Sequence, residues 1–317
     1  MRRWRAILRP NRPELRATFI LALAMLAVAG GAIAWLHTFN IPDECFGNGD
    51  VGLLCQPYQG TILAYGEAME TAGGPAAIAV VVVPILVAMV LGIALLGREI
   101  EQQTTNFAWS IAPSRTAWLG DRLVPILLLL LTIGLAAGGL GDLLMGLRIR
   151  GVDPWQNFEA LGLRGPAIAG AALLVFGVAV LVGGVVGRQL PALLISGAVI
   201  GFAVYGAFAV SEALVKADAE VAASDQVAIG DKFLDTLIRT PEGEYITWNE
   251  AYERYGSAVD EVSYEGTSTS SGLSVVIQYV PGERYPAAVA RLSGLLGLGG
   301  VAALALTFLV VHRRRPY

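Results

Sequence analysis

Lysine is nearly missing from this chain: among 317 residues there are only Lys216 and Lys232, followed by Ala and Phe. A P-loop needs Lys followed by Ser or Thr after a glycine-rich turn, so the sequence offers no such nucleotide site. Histidine is as scarce. His37 and His312 fall at the ends of different apolar runs, on opposite sides of the membrane in the topology derived below. That separation excludes a His-paired nucleophile and a HExxH metal site, and no metal or cofactor is expected in the chain. Charge is thin, at 15% of residues. No apolar run carries an ionisable residue at its centre, which argues against an ion-coupled carrier. Cysteine is limited to Cys45 and Cys55.

What is present is apolar. Hydrophobic residues make up 55% of the chain, gathered into long runs without strand or amphipathic periodicity. A hydrocarbon core of about 30 Å needs about 20 apolar residues of helix. Six segments qualify: Ala17 to Leu36, Pro75 to Leu96, Leu123 to Leu147, Pro166 to Val186, Pro191 to Val215 and Pro286 to Val311. Each is expected to be helical, because lipid offers the backbone no other hydrogen-bonding partner. Ala32-Ile33-Ala34 resembles a signal-cleavage site, but the run before it exceeds the about 7 to 15 residues of a signal core, so it is expected to stay as a span.

The basic residues set the orientation. Arg2, Arg3, Arg5, Arg9, Arg12 and Arg16 precede the first run, Arg98, Arg115 and Arg122 flank the second-to-third connection, Arg188 lies in the fourth-to-fifth turn, and Arg313 to Arg315 end the chain. Placing these on the cytoplasmic side puts both termini inside. The inner segments then hold 13 basic and 4 acidic residues and the outer ones 9 and 22. Arg148, Arg150 and Arg164, in the third-to-fourth connection, dissent from this rule.

Four parts follow. Residues 1–16 read as an interfacial amphipathic helix with Trp4, Ile7 and Leu8 on one face; a plain topogenic tail would explain the arginines but not the placement of Trp4. Residues 17–215 carry five spans, 216–285 form a small α+β extracytoplasmic domain, and 286–317 hold the sixth span and a basic tail. Within the outer domain, Ala217 to Ala223 reads as a continuation of the fifth helix or a frayed end of it. Thr247-Trp248-Asn249-Glu250 has capping-box spacing ahead of a helix, Ser274 to Val280 alternates as a strand, and Gly266 to Gly272 reads as a turn. The cysteines fall in the first outer loop, where the oxidising compartment favours a disulfide between them, with two free thiols as the alternative. The fold class expected is an all-α polytopic membrane protein with six transmembrane helices and that small outer domain.

Two motifs remain. Gly139-Leu140-Gly141-Asp142 matches the GxGD pattern of intramembrane aspartyl proteases, which need two carboxyls sharing a proton. The other acid near this span, Asp121, lies about 31 Å away along a helix, so Asp142 reads as an interface residue. The polar stretch from Gly97 to Arg122 is more telling. On a helical wheel Ile100, Thr104, Phe107, Ala108 and Ile111 share one side, and Glu99, Gln102, Gln103, Asn106 and Ser110 the other. Trp109 falls among the polar residues, as an anchor for a protein contact or as a headgroup-level tryptophan. Pro113 stops this helix and Ser114 is placed to cap the next.

That stretch, LLGREIEQQTTNFAWSIAPSRTAWLGDRL, resembles the inner loop of bacterial ABC export permeases of the second type: Arg98, Glu99, Glu101 and Thr104, then Ala108-Trp109, then Ser114, Arg115, Trp118 and Leu119. Tyr279-Val280-Pro281-Gly282-Glu283-Arg284-Tyr285 is similar to a Tyr-x-Pro-x-x-Arg-Phe segment of the actinobacterial branch, with Tyr285 in place of Phe and without the Trp and Gln that follow there. The resemblance implies a non-catalytic permease subunit of the bacterial cell membrane that dimerises with a second copy or a paralogue. It implies two P-loop ATP-binding partner subunits, which hold ATP and magnesium, and outward movement of a substrate. The coupling element would lie within 98–118, with Arg98, Glu99, Glu101, Gln102, Thr104, Trp109, Ser114 and Arg115 as its contact residues. No nucleic-acid partner is expected. A carrier working alone, or a membrane scaffold or sensor, is the alternative.

Overall fold

The computed structural model of the chain describes residues 12–46, 55–102, 114–223, 226–262 and 272–313. Trp4, Ile7, Leu8, Thr104 and Trp109 lie outside the described residues, as does most of the turn expected over Gly266 to Gly272. Among the described residues six helices are long and apolar enough to cross a membrane. They are Arg12–Leu36, Gly74–Glu101, Arg115–Arg148, Pro166–Val186, Gln189–Lys216 and Tyr285–Arg313, one for each expected span.

The helices outrun the apolar runs. The second continues past Leu96 to Glu101, and the third starts at Arg115, eight positions before Leu123. Ser114 sets that start: its Oγ accepts the Ala117 N–H at 3.1 Å, satisfying a donor that the first turn otherwise leaves unpaired. Pro84 lies inside the second helix without ending it. A short helix, Gln59–Ala68, and a π-helical turn, Met69–Gly73, lead directly into this second span.

The chain divides into two compact units. One comprises Met1–Gly151, Gly162–Phe208 and Val289–Tyr317. Its centre is the fourth span, most of whose residues are buried. Glycines let the neighbours approach it to backbone distance. A methyl group at Gly134 of the third span would lie 2.7 Å from Ala169 Cα, and one at Gly138 would meet the Gly165 carbonyl. The Gly138 oxygen also accepts the Gly165 N–H at 3.1 Å. A methyl at Gly92 of the second span would lie 2.7 Å from Ala179 Cβ, and one at Gly177 would strike the Gly300 carbonyl of the sixth. Three glycine pairs, Gly134/Gly138, Gly183/Gly187 and Gly197/Gly201, have the four-residue spacing that lets helices approach closely, and Gly134/Gly138 is such a contact. In the second pair, Gly183 packs on Ile93 while Gly187, at φ 68°, ends the fourth helix in the left-handed region. Gly197/Gly201 faces open space.

The other unit comprises Val152–Leu161 and Ala209–Ala288. Four strands, β1 (Glu220–Ala222), β2 (Lys232–Arg239), β3 (Tyr245–Ile246) and β4 (Ser274–Val280), form one antiparallel sheet in the order β1-β4-β2-β3. Ala217 to Ala223 neither prolongs the fifth helix nor frays from it, contrary to expectation. The helix stops at Lys216, and Glu220 to Ala222 pair with Tyr279 to Ile277. The capped helix is found at Trp248–Tyr255, where Thr247 Oγ1 accepts the Glu250 N–H. With Val259 and Val262 it covers Ile238, Ile246, Leu273 and Val275, the unit's small core.

Replacing Gly177 by Ala sets a methyl against the Gly300 carbonyl, an overpacking that costs about 1–3 kcal/mol. The variant should melt at lower temperature in detergent than the parent, while Gly197→Ala, which meets nothing, should not.

Candidate coupling site

Three helix ends meet beside the connection that carries the motif of the inner loop. The second helix closes on Arg98, Glu99 and Glu101, and Gln102 caps it, its N–H donating to the Arg98 carbonyl. The third opens at Ser114 and Arg115 and presents Trp118 and Arg122 over its first two turns. The fifth opens at Gln189. Arg122 Nη1 donates to Glu99 Oε1, and both side chains are largely shielded from solvent. The guanidinium carbon of Arg122 also sits 4.4 Å from the centre of the Trp118 ring, so one cation is held by a carboxylate and an aromatic face together. Glu101 Oε2 accepts the Gln189 N–H at 3.2 Å, satisfying a donor in the first turn of the fifth helix with a negative charge, the sign that end favours. Ala192, one turn further, packs with Ile93 and Ala179, joining the second, fourth and fifth spans beneath this bond.

Two acidic residues singled out from the sequence therefore act within the chain, as clasps between spans. The structure brings together Glu99, Glu101, Arg122 and Gln189. Of these, Arg122 was counted for charge alone and Gln189 went unnoticed. The available signal was a pair of opposite charges near two helix ends that flank one connection. Arg98, Gln102, Ser114 and Arg115 lie at the borders of residues 103–113, which are outside the described residues.

Arg164 and Arg150, two of the three dissenting arginines, have partners within the chain. Arg164, 1% exposed, donates to Asp142 Oδ1 at 3.1 Å, so the aspartate of the GxGD stretch belongs to an ion pair. Gly141 leaves room for it: a methyl there would lie 3.0 Å from Arg164 Cβ. Arg150 donates to the carbonyls of Ile41 and Phe39 at 3.0 and 3.1 Å, and lies 5.0 and 4.8 Å from the ring centres of Phe46 and Tyr65. The Tyr65 hydroxyl donates to the Leu147 carbonyl. Cys45 and Cys55 form a disulfide beside this cluster, which decides between the two states left open by the sequence.

A profile of the family described as ABC-2 membrane transporter related matches residues 16–211. The chain belongs to this family. No curated protein and no solved structure matches it. The family is one of membrane permeases of ABC transporters, components that are generally non-catalytic and work in lipid beside an ATP-binding subunit. The matched region runs from the first span to near the end of the fifth and includes every residue of the clasps.

The segment similar to the actinobacterial branch lies beyond the match, and its residues have defined tasks in the second unit. Arg284 pairs with Glu220 and, at 3.8 Å, with Asp218. The Gly282 N–H donates to Asp231 Oδ1 at 2.7 Å, and a methyl at Gly282 would strike the Gln156 carbonyl. Tyr285 packs edge-on against Phe158, ring centres 5.6 Å apart.

The partly buried Glu99–Arg122 pair should show a coupling energy of about 1–2 kcal/mol in a double-mutant cycle of Glu99→Ala and Arg122→Ala, measured by denaturation of the purified chain. Additive single effects would contradict the clasp.

Proposed function

We propose that the chain is the permease subunit of an ATP-driven exporter, moving a hydrophobic or amphipathic substrate outward. A separate P-loop ATP-binding subunit docks on the segment from Arg98 to Trp118, and a second copy or a paralogue completes the membrane pathway. On this reading both termini and the 103–113 connection are cytoplasmic, the strand-containing unit is extracytoplasmic, and the host is a bacterium of the actinobacterial branch. Residues 1–16 lie along the inner headgroups through Trp4, Ile7 and Leu8.

The observation that carries the proposal is the clasp pair. Glu99–Arg122 and Glu101–Gln189 tie the ends of three spans around one connection. Packed elements transmit displacement when rigid links join them, so a motor seated on that connection would move the three helix ends together. Family membership supports the same reading, as does the charge asymmetry of the connecting segments. Arg98, Gln102, Thr104, Trp109, Ser114 and Arg115 are the contacts assigned to the motor, with Glu99 and Glu101 holding the helix ends in register beside them.

The test is co-purification. Gently solubilised, tagged permease should bring down a polypeptide with a P-loop and ATP hydrolysis. Trp109→Ala should cut substrate-stimulated hydrolysis by about tenfold or more at unchanged membrane abundance, as truncation of an interface anchor does. Absence of an ATPase, or full coupling in the variant, would overturn the proposal.

A further inference from the structure

Between the first span and the start of the second lies an apolar groove of about 470 Å³, within the usual range of small-molecule sites. Its wall is built from alanines, among them Ala24, Ala29, Ala32, Ala72 and Ala79. Small side chains leave space where larger ones would close the helix pair. The π-helical turn Met69–Gly73 supplies part of this wall, and one-turn π segments recur at functional sites. The one polar group in the lining, the Thr71 hydroxyl, donates to the Glu67 carbonyl at 2.7 Å, so its proton is already committed and the lining side chains have no hydrogen bond to donate to a ligand.

The groove lies in stretches that are apolar enough to sit in hydrocarbon, which restricts its occupant to an apolar body. The end nearest Thr71 has a different character. Glu67 and Glu70, both exposed, follow one another within a turn just beyond the lining, and no basic residue occurs between Gln56 and Gly97. Arg150, which reaches Tyr65 on the same short helix, has its guanidinium engaged by two backbone carbonyls and two rings. The geometry points to a binding site for a cationic amphiphile, with the apolar tail along the alanine wall and the positive head at Glu67 and Glu70. An anionic or zwitterionic lipid has the same tail but the wrong head for this end. Resting on the transporter reading, the site names the substrate class as cationic amphiphiles.

Two probes separate tail from head: 11-(dansylamino)undecyltrimethylammonium and 11-(dansylamino)undecanoate, with one fluorophore and one tail but opposite charges. Each is titrated at pH 8 into the full chain in phosphatidylcholine nanodiscs, with chain-free nanodiscs as the blank. The cation should bind saturably and about tenfold more tightly than the anion. Ala32→Phe and Ala79→Phe, on different helices, should each remove saturable binding. Glu67→Gln with Glu70→Gln, at exposed positions that do not endanger folding, should keep binding and shrink the head-group preference below about threefold. A signal no greater than the blank, equal affinity for both probes in the parent, or an undiminished preference in the double variant would overturn the site. The nanodisc holds no motor, so saturable binding without a captured ATPase defeats the exporter alone, and a captured ATPase without saturable binding defeats the groove alone.

Discussion

Hydrocarbon accepts neither an unpaired charge nor an unpaired backbone group, and this constraint organises what surrounds the spans. The charged side chains that the structure draws into the bundle's helix ends are spent on one another or on the main chain. Asp142 takes Arg164, Glu99 takes Arg122, and Arg150 takes the carbonyls of Phe39 and Ile41. Removing one partner would leave a shielded charge uncompensated, which costs far more than the pair contributes. Arg150 and Arg164, which run against the positive-inside pattern, both have partners within the chain, as does Arg122, which follows it.

The same logic separates what the sequence disclosed from what it hid. A span announces itself by twenty apolar residues in a row, and all six are found. Helix ends are decided by a few local groups, as when Ser114 starts the third helix, and the cap was legible while the further reach of the helix beyond the apolar run was not. Pairing across the chain left fainter marks. Strand β1 is three residues long and takes its partner from Ile277 to Tyr279, so nothing local distinguishes Ala217 to Ala223 from a fraying helix. Strand β2 has a register shift between Phe233 and Asp235, which breaks the alternation that would have betrayed it. Residues 152–161 join a unit whose other residues begin almost fifty positions later, and no periodicity in so short a loop predicts it. The connection between the second and third helices was legible as chemistry, polar residues amid apolar ones, but the clasp partners Arg122 and Gln189 were not.

Backbone contact and side-chain contact hold helices differently. The fourth span meets the second at Gly92, the third at Gly134 and Gly138, and the sixth at Gly170 and Gly177, in each case at distances where an added methyl would collide. Such a helix has no room to rotate against its neighbours, because rotation drives a Cβ into a carbonyl. The first span is held to the third at Gly30 only through the side chain of Leu140, and side chains can change rotamer.

On the exporter reading this difference decides where motion can go. Displacement delivered at the clasps reaches the second, third and fifth spans together, but the second and third are locked to the fourth through glycine. The fifth is tied by the Glu101–Gln189 bond and by Ala192 at one end, while Gly197 and Gly201 further along meet nothing. It is also the most exposed of the six. A helix tied at the driven end and open around Gly197 and Gly201 is the element that can shift on this reading, and because Ser196, Ile200, Ser211 and Val215 are buried along it, it moves only with the contacts that bury them.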